Sequence, residues 1–318
     1  MEELKRRWRA ANRRYKNELR SAKLEHWKDY VHTTTNLGKD PWGGVYKTCR
    51  GQRRNTDITA IRTGDTTCET WRESAEALLD SFFGTYSPLS VEYPPFGNAN
   101  LPTVELSPEQ VADAVKGIRS RKSPGLDGIT GSVVKELHKV APELLLALMQ
   151  LCLDDGTFSS NWKTAKVIPL LKSSEKPKDK AKSYRPICLL SAWSKVLEKI
   201  MVKRLCDDCV NNGASISSTQ FGFTEGKSTV DAWKAVVNHV RSCPSKYILG
   251  LFIDFSGAFD NISWNSILRR LVEIGSRDLK LWESYFSGRK VIMEGNTQSI
   301  TRGVSRGCPQ GSICRPYI

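Results

Sequence analysis

The sequence has no long apolar run. The densest one, Leu144 to Leu153, is about half of what a membrane span needs. The opening residues, Met1-Glu2-Glu3-Leu4-Lys5-Arg6-Arg7-Trp8, carry no apolar core of the kind an export signal uses. No membrane partner is therefore expected. There is no disulfide framework either. The nine cysteines are odd in number and scattered at positions 49, 68, 152, 188, 206, 209, 243, 308 and 314, which fits reduced thiols in a reducing compartment. Cys206 and Cys209 have ligand-like spacing, but no second pair follows and the next histidine is His239. They lie on an expected helix over 194–210, where residues three apart share a face. Helix packing is the plain reading and zinc the alternative. No internal repeat is visible. With 39% hydrophobic and 26% charged residues, the composition is globular and excludes disordered, collagen-like and low-complexity classes.

The charge is one-sided. The 318 residues hold 48 Lys+Arg against 34 Asp+Glu, a net +14. Residues 1–54 alone hold 15 basic and 6 acidic side chains, so they supply +9 of that excess. Trp8, Tyr15, Trp27 and Tyr30 are interleaved with those charges at helical spacing. Basic groups beside aromatics suit a phosphate backbone and stacked bases. The same pattern also fits a solvated helix with a few aromatics facing a core, or a surface that meets membrane or acidic protein.

Along the chain, a basic helix is expected over 1–35, turns over 38–51 and a helix over 68–83. Pro88, Pro94, Pro95 and Pro102 crowd residues 85–104 and mark the expected boundary between an arm and the main body. Ser107-Pro108-Glu109-Gln110 reads as a helix start, with a Ser cap, Pro at the first position and Gln three after the cap. A loop at 122–128 and two helices within 130–155 follow. Lys166 to Leu171 (KVIPLL) and Ile187 to Leu190 are short apolar runs flanking a charged stretch, the pattern of a hairpin with a basic tip. Helices are expected near 192–210, 229–242, 264–274 and 277–287, and a hairpin near 289–302 turning at Glu294-Gly295-Asn296. Tyr247 to Ile253 (YILGLFI) is an uninterrupted apolar run that reads as a fully buried strand.

That strand would end in Asp254. A carboxylate there must reach water, a cation or a hydrogen-bond donor, because it cannot stay ionised in an apolar core. Gly257 lets the chain turn, Phe259 follows, and Asp260 opens the next helix. Asp254 is thus a candidate metal ligand with an aromatic wall beside it. The competing reading is an N-cap role for Asp254 and Asp260, favoured for Asp260.

Five segments fall in order along the chain: KSPGLDGIT at 122–130, WKTAKVIPLLK at 162–172 with YRPICLLS at 184–191, TQFGFTEGKST at 219–229, IDFSGAFD at 253–260 and GVSRGCPQGS at 303–312. Together the series resembles the reverse transcriptases of non-LTR (LINE-type) retrotransposons, over about residues 105–318. The basic region before it, with DPWGGVYK, is similar to the segment preceding the polymerase in insect elements of that type. The resemblance implies an α+β fold: the fingers and part of the palm of a right-hand polymerase (105–318) behind a basic helical N-terminal arm and linker (1–104). It implies RNA-directed DNA synthesis, by transfer of a deoxynucleotide to a primer 3′-hydroxyl on an RNA template with Mg2+ or Mn2+. It also implies an intracellular, nuclear setting.

The resemblance further implies roles. Asp254 matches the first metal-binding aspartate, and the main-chain carbonyl of Phe255 would be a further ligand. Phe259 matches the bulky residue that excludes a 2′-hydroxyl. Lys172 and Arg185 match the residues that grip the incoming triphosphate, Arg185 through planar bidentate donors and Lys172 as a point charge. Gln310 and Gly311 match the element lining the nucleotide pocket, where glycine lets backbone come close. Gln220, Phe221 and Gly222 match a segment near the template strand.

The chain also departs from the pattern. The family's Tyr-x-Asp-Asp turn does not appear before Ile318, and Asp154-Asp155 and Asp207-Asp208 sit at expected helix ends instead. Asp254 alone leaves two cations underneutralised. Arg315 stands where the family usually carries a small residue. These departures suggest a fragment or degenerate copy that is inactive alone, with a non-catalytic nucleic-acid-binding remnant as the alternative. A phosphate-binding loop at Gly222 to Ser228 is a weaker rival, because three residues, not four, separate Gly222 from Gly226.

Overall fold

The structure is a computed structural model that describes residues 2–36, 60–64, 66–84, 105–213, 217–224, 226–255, 257–295, 298–308 and 310–314. The expected turns at 38–51, the proline-rich stretch at 85–104 and Arg315 lie outside them. The chain divides into two compact units, Met1–Asp57 and Ile58–Ile318.

The first unit contains one long helix, Glu2–Asn36, as the spacing predicts. Trp8 and Tyr15 are exposed on it among the basic side chains. An ion pair along it, Arg14 to Glu18 at 3.6 Å, is solvated and contributes little.

The second unit is a mixed α+β body. Its main sheet has the order β4-β3-β5-β6, with β3 Thr164–Leu171, β4 Tyr184–Leu189, β5 Lys290–Glu294 and β6 Ser299–Gly303. Both expected hairpins form: β3 pairs antiparallel with β4, and β5 with β6. A parallel pairing of Thr164–Lys166 with Lys290–Ile292 joins them. A two-residue ribbon, β1 Arg62–Thr63 with β2 Thr66–Thr67, lies ahead of the Trp71–Phe83 helix.

Local signals explain where the helices start. Ser107 accepts from the Gln110 backbone N–H, and the Gln110 side chain accepts in return from Ser107 N–H at 3.0 Å. Thr70 and Glu73 repeat this reciprocal cap at the Trp71–Phe83 helix, as do Ser228 and Asp231 at Thr229–Ser242. Helices Gly131–Val140 and Pro142–Asp154 occupy the expected 130–155 region. The 20-residue helix Ala192–Asn211 is buried along much of its length, and the Pro108–Lys116 helix packs on it.

One continuous core ties the body together, from Ile61, Leu78 and Leu79 through Val196, Leu197 and Met201 to Trp282, Tyr285 and Phe286. Residues 60–84 therefore belong by packing to the main body, although the prolines suggested a boundary at 104. Burial of Ile61 and the Trp71–Phe83 helix face outweighs the local signal. On the sheet, Ala165, Val167, Cys188, Val291 and Met293 face this core.

The expected buried strand at Tyr247–Ile253 does not form. These residues are extended coil, and Leu249 is 97% exposed. A buried strand needs a neighbour on at least one edge and cover on its faces. No described strand pairs with this run, so its apolar side chains gain nothing by ordering into one. No described helix is long and apolar enough to cross a membrane.

Candidate nucleotide and nucleic-acid site

The β3–β4 hairpin places two of the expected site residues. Arg185 stands opposite Leu170, and the ladder continues one step beyond the strand, where Lys172 N–H donates to the Ser183 carbonyl at 2.9 Å. Lys172 lies two residues past Leu170, so by the period of the pleat it shares the face of Leu170 and Arg185. That face is open: Arg185 and Lys172 are exposed, as are Ile168 and Leu170. The Lys172 amine donates to the Lys182 carbonyl at 2.9 Å, which anchors it at the base of the basic tip.

Gln310 and Gly311 come to the same strand from the other end of the body. The Cys188 backbone N–H donates to the Gln310 carbonyl at 2.9 Å, so the segment docks on the outer edge of β4, three residues from Arg185. Gly311 has φ +142°, and a Cβ there would overlap the Cys188 carbonyl oxygen. Only glycine permits this approach.

The 257–261 turn meets the same segment. Cys308 N–H donates to the Phe259 carbonyl at 2.8 Å, and Gly307 N–H to the Ile262 carbonyl at 2.8 Å. The Gln310 side-chain amide donates to Asp260 Oδ1 at 3.3 Å. Asp260 thus sits within the short Ala258–Asn261 helix and faces Gln310. The expected cap role is corrected: Gly257 is the cap residue, with φ +66° and no side-chain bond. Phe259 is half-buried and meets Phe223 edge-on, with ring centroids 5.9 Å apart. Phe223 itself has φ +56°, a conformation that a bulky residue holds only under constraint. The closed space beside Gln310, lined by Lys163, Asp260, Arg289 and Arg306, is about 20 Å³. That holds one water at most.

Gln220, Phe221 and Gly222 form a loop held by its own residues. The Lys227 amine donates to the Ser218 carbonyl at 2.6 Å and the Gln220 carbonyl at 3.0 Å, and lies 5.1 Å from the centre of the Phe221 ring. The Gln220 side chain donates to the Gly222 carbonyl at 2.9 Å. Lys227 is thereby a loop staple rather than a phosphate-loop lysine.

Asp254 and Phe255 are not brought to this cluster by a strand. Both are exposed on the coil that follows the Tyr247–Ile253 run. Among the described residues, no three His, Cys, Asp or Glu side chains form a group that could hold a metal ion. The described residues therefore do not make a two-metal centre by themselves. Cys206 and Cys209 are half-buried thiols outside any disulfide, and no metal cluster among the described residues includes them.

Sequence reasoning missed a buried polar cluster behind Gly311. Glu198, fully buried on the Ala192–Asn211 helix, accepts from Ile313 N–H at 2.8 Å and from the Ser312 hydroxyl at 3.0 Å. Tyr285 and Ser312 hydroxyls lie 2.9 Å apart, and Arg289 donates to the Tyr285 carbonyl at 2.9 Å. Burial pushes the Glu198 carboxyl up, against the pull of Arg289 and its hydrogen bonds. Burial also drives the Tyr285 hydroxyl and the Cys314 thiol well up. The one available signal was an acid within an otherwise core-facing stretch, Val196 to Ile200.

Residues 175–318 match the reverse transcriptase (RNA-dependent DNA polymerase) family. The chain is 39% identical to the putative 115 kDa protein in type-1 retrotransposable element R1DM of Drosophila melanogaster, over 98% of this chain and 29% of that one. It is 41% identical to the retrovirus-related Pol polyprotein from type-1 retrotransposable element R1 of Bradysia coprophila, over 96% of this chain and 30% of that one. The RNA-directed DNA polymerase from mobile element jockey of Drosophila melanogaster is 28% identical over 69% of this chain and 24% of its own length. The chain thus spans under a third of the length of each of these three relatives. The family match and these likenesses together identify the chain as carrying a reverse transcriptase domain of the non-LTR retrotransposon type, similar to those of insect elements.

Proposed function

We propose that this chain is the fingers and first part of the palm of a right-hand, RNA-directed DNA polymerase, which transfers deoxynucleotides to a primer 3′-hydroxyl on an RNA template in the nucleus. Residues 105–318 carry the polymerase motifs, residues 60–84 pack with them, and the basic N-terminal region serves as an arm. The carrying observation is the docking of Gln310–Gly311 on the edge of β4, three residues from Arg185. It gathers a cation-bearing strand, a backbone-close glycine and the Phe259 ring around one open face.

On this reading Lys172 and Arg185 hold the triphosphate, Gln310 and Gly311 line the nucleotide pocket, and Phe259 stands against the sugar. Gln220, Phe221 and Gly222 meet the template. Asp254 and the Phe255 carbonyl would be ligands of Mg2+ or Mn2+, which supplies charge neutralisation at the reacting phosphate. The other carboxylates such a centre needs are not among the described residues. A partner strand that would cover Tyr247–Ile253 is likewise not among the described residues.

The test is binding. Neutralising Lys172 and Arg185 together is expected to weaken deoxynucleoside triphosphate binding more than RNA binding, read by equilibrium titration of each. Equal losses would make the two residues simple backbone contacts. The second reading is a non-catalytic nucleic-acid-binding protein. The isolated, exposed Asp254 favours it, and RNA affinity without metal-dependent incorporation would select it.

A further inference from the structure

A second cavity, of about 440 Å³, lies beside the proposed site and shares Gly311 with it. Its size is that of a small-molecule pocket. Two of its walls carry cations. Lys195 and Lys199 are four residues apart on the Ala192–Asn211 helix and so share a face. Arg119 and Lys122 reach it from the loop after the Pro108–Lys116 helix. No carboxylate lines the cavity. None of the four makes an ion pair among the described residues.

The nearest acids are already committed. Asp127 accepts from the Ser191 hydroxyl at 2.6 Å and from Ile129 N–H at 3.0 Å. Glu198 is bound to Ser312 and Ile313. Four cations line one cavity with no ion pair of their own, so like charges repel across it, and a bound anion relieves that repulsion. The rest of the wall is apolar, with Ile118, Ile129 and Ile187 among its residues, which suits the flat face of a base. Burial lowers the Lys195 amine, against the pull of Glu198 and Asp127 and with the push of Lys122.

We propose that the Lys195, Lys199, Arg119 and Lys122 cavity binds a phosphate of a nucleic-acid strand, with the adjoining base against the apolar wall. This rests on the nucleic-acid reading above and adds a contact surface that the matched motifs do not assign. A free nucleotide carries the same phosphate chemistry, so the experiment separates the two sources.

The experiment is lysine acylation of the full chain, with each site quantified by mass spectrometry. It is run alone, with a single-stranded RNA oligonucleotide, with a deoxynucleoside triphosphate and with inorganic tripolyphosphate. RNA is expected to slow modification of Lys195 and Lys122 several-fold while exposed Lys139 is unchanged, and added salt should erase the protection. The Lys122→Gln/Lys195→Gln double variant, checked for native circular dichroism, should lower RNA affinity. It should also flatten the salt dependence by about 0.7 in logarithmic slope, the value for one phosphate contact on a single strand. Lys139→Gln should change neither. Protection by triphosphate alone would overturn the strand assignment. RNA binding with Lys195 unprotected would overturn the cavity while leaving the polymerase reading intact. Failure of the chain to bind RNA at all would overturn both.

Discussion

The backbone N–H of Cys188 and the carbonyl of Gln310 are joined at 2.9 Å, although the two residues come from opposite ends of the body. This bond makes the Gln310–Gly311 segment the outer neighbour of β4 and sets its distance from Arg185. The fit depends on Gly311, because any side chain there would strike the Cys188 carbonyl and φ is +142°. Gly311→Ala is expected to cost about 1–3 kcal/mol of stability, the range for a residue forced into a disfavoured conformation. It should also reduce deoxynucleotide binding. Urea unfolding and nucleotide titration of the same variant measure both.

Glu198 predicts a pH dependence. Burial raises its folded-state value above the ordinary 4.5. The stability it contributes is therefore fully present below that value and lost as pH rises through the raised one. Gln at this position can still accept from Ile313 and cannot ionise. The stability of the parent chain relative to Glu198→Gln should accordingly fall as pH rises from 4.5 upward. Urea midpoints of both proteins across that range give the difference, and parallel curves would refute the assignment.

Arg204 and Asp278 form a bidentate pair at 2.6 and 2.8 Å, with both side chains 7% exposed. They fasten the Ala192–Asn211 helix to the turn before Leu279–Phe286. Asp278→Ala strands a guanidinium in the core and is expected to destabilise the chain by about 3–5 kcal/mol. Replacing both residues with apolar ones of similar volume should recover part of that loss in the same unfolding assay.

What was legible in the sequence was mostly local. Ser107 and Gln110 announce their helix because a capping box acts within one turn. The β3–β4 hairpin was legible because two apolar runs flank a polar tip. The parallel pairing of Lys166 with Ile292 was not, since nothing local specifies a partner so distant along the chain. Tyr247–Ile253 shows the limit most clearly. Its hydrophobicity states that it could be buried, but burial needs a neighbour, and no described strand provides one. Likewise, Phe223 in a left-handed conformation and Glu198 in the core run against residue preference. Only packing reveals them. The motif residues fared unevenly: backbone bonds link the 307–311 segment to β4 and to Phe259, whereas Asp254 stands on exposed coil.

The most direct test of the central claim is RNA-templated primer extension with deoxynucleotides and Mg2+. It should use the protein at whatever length its source transcript encodes, beside its Asp254→Ala variant. The account predicts incorporation that needs both the metal and the RNA template and that disappears in the variant. Extension by Asp254→Ala at the parent rate would contradict it.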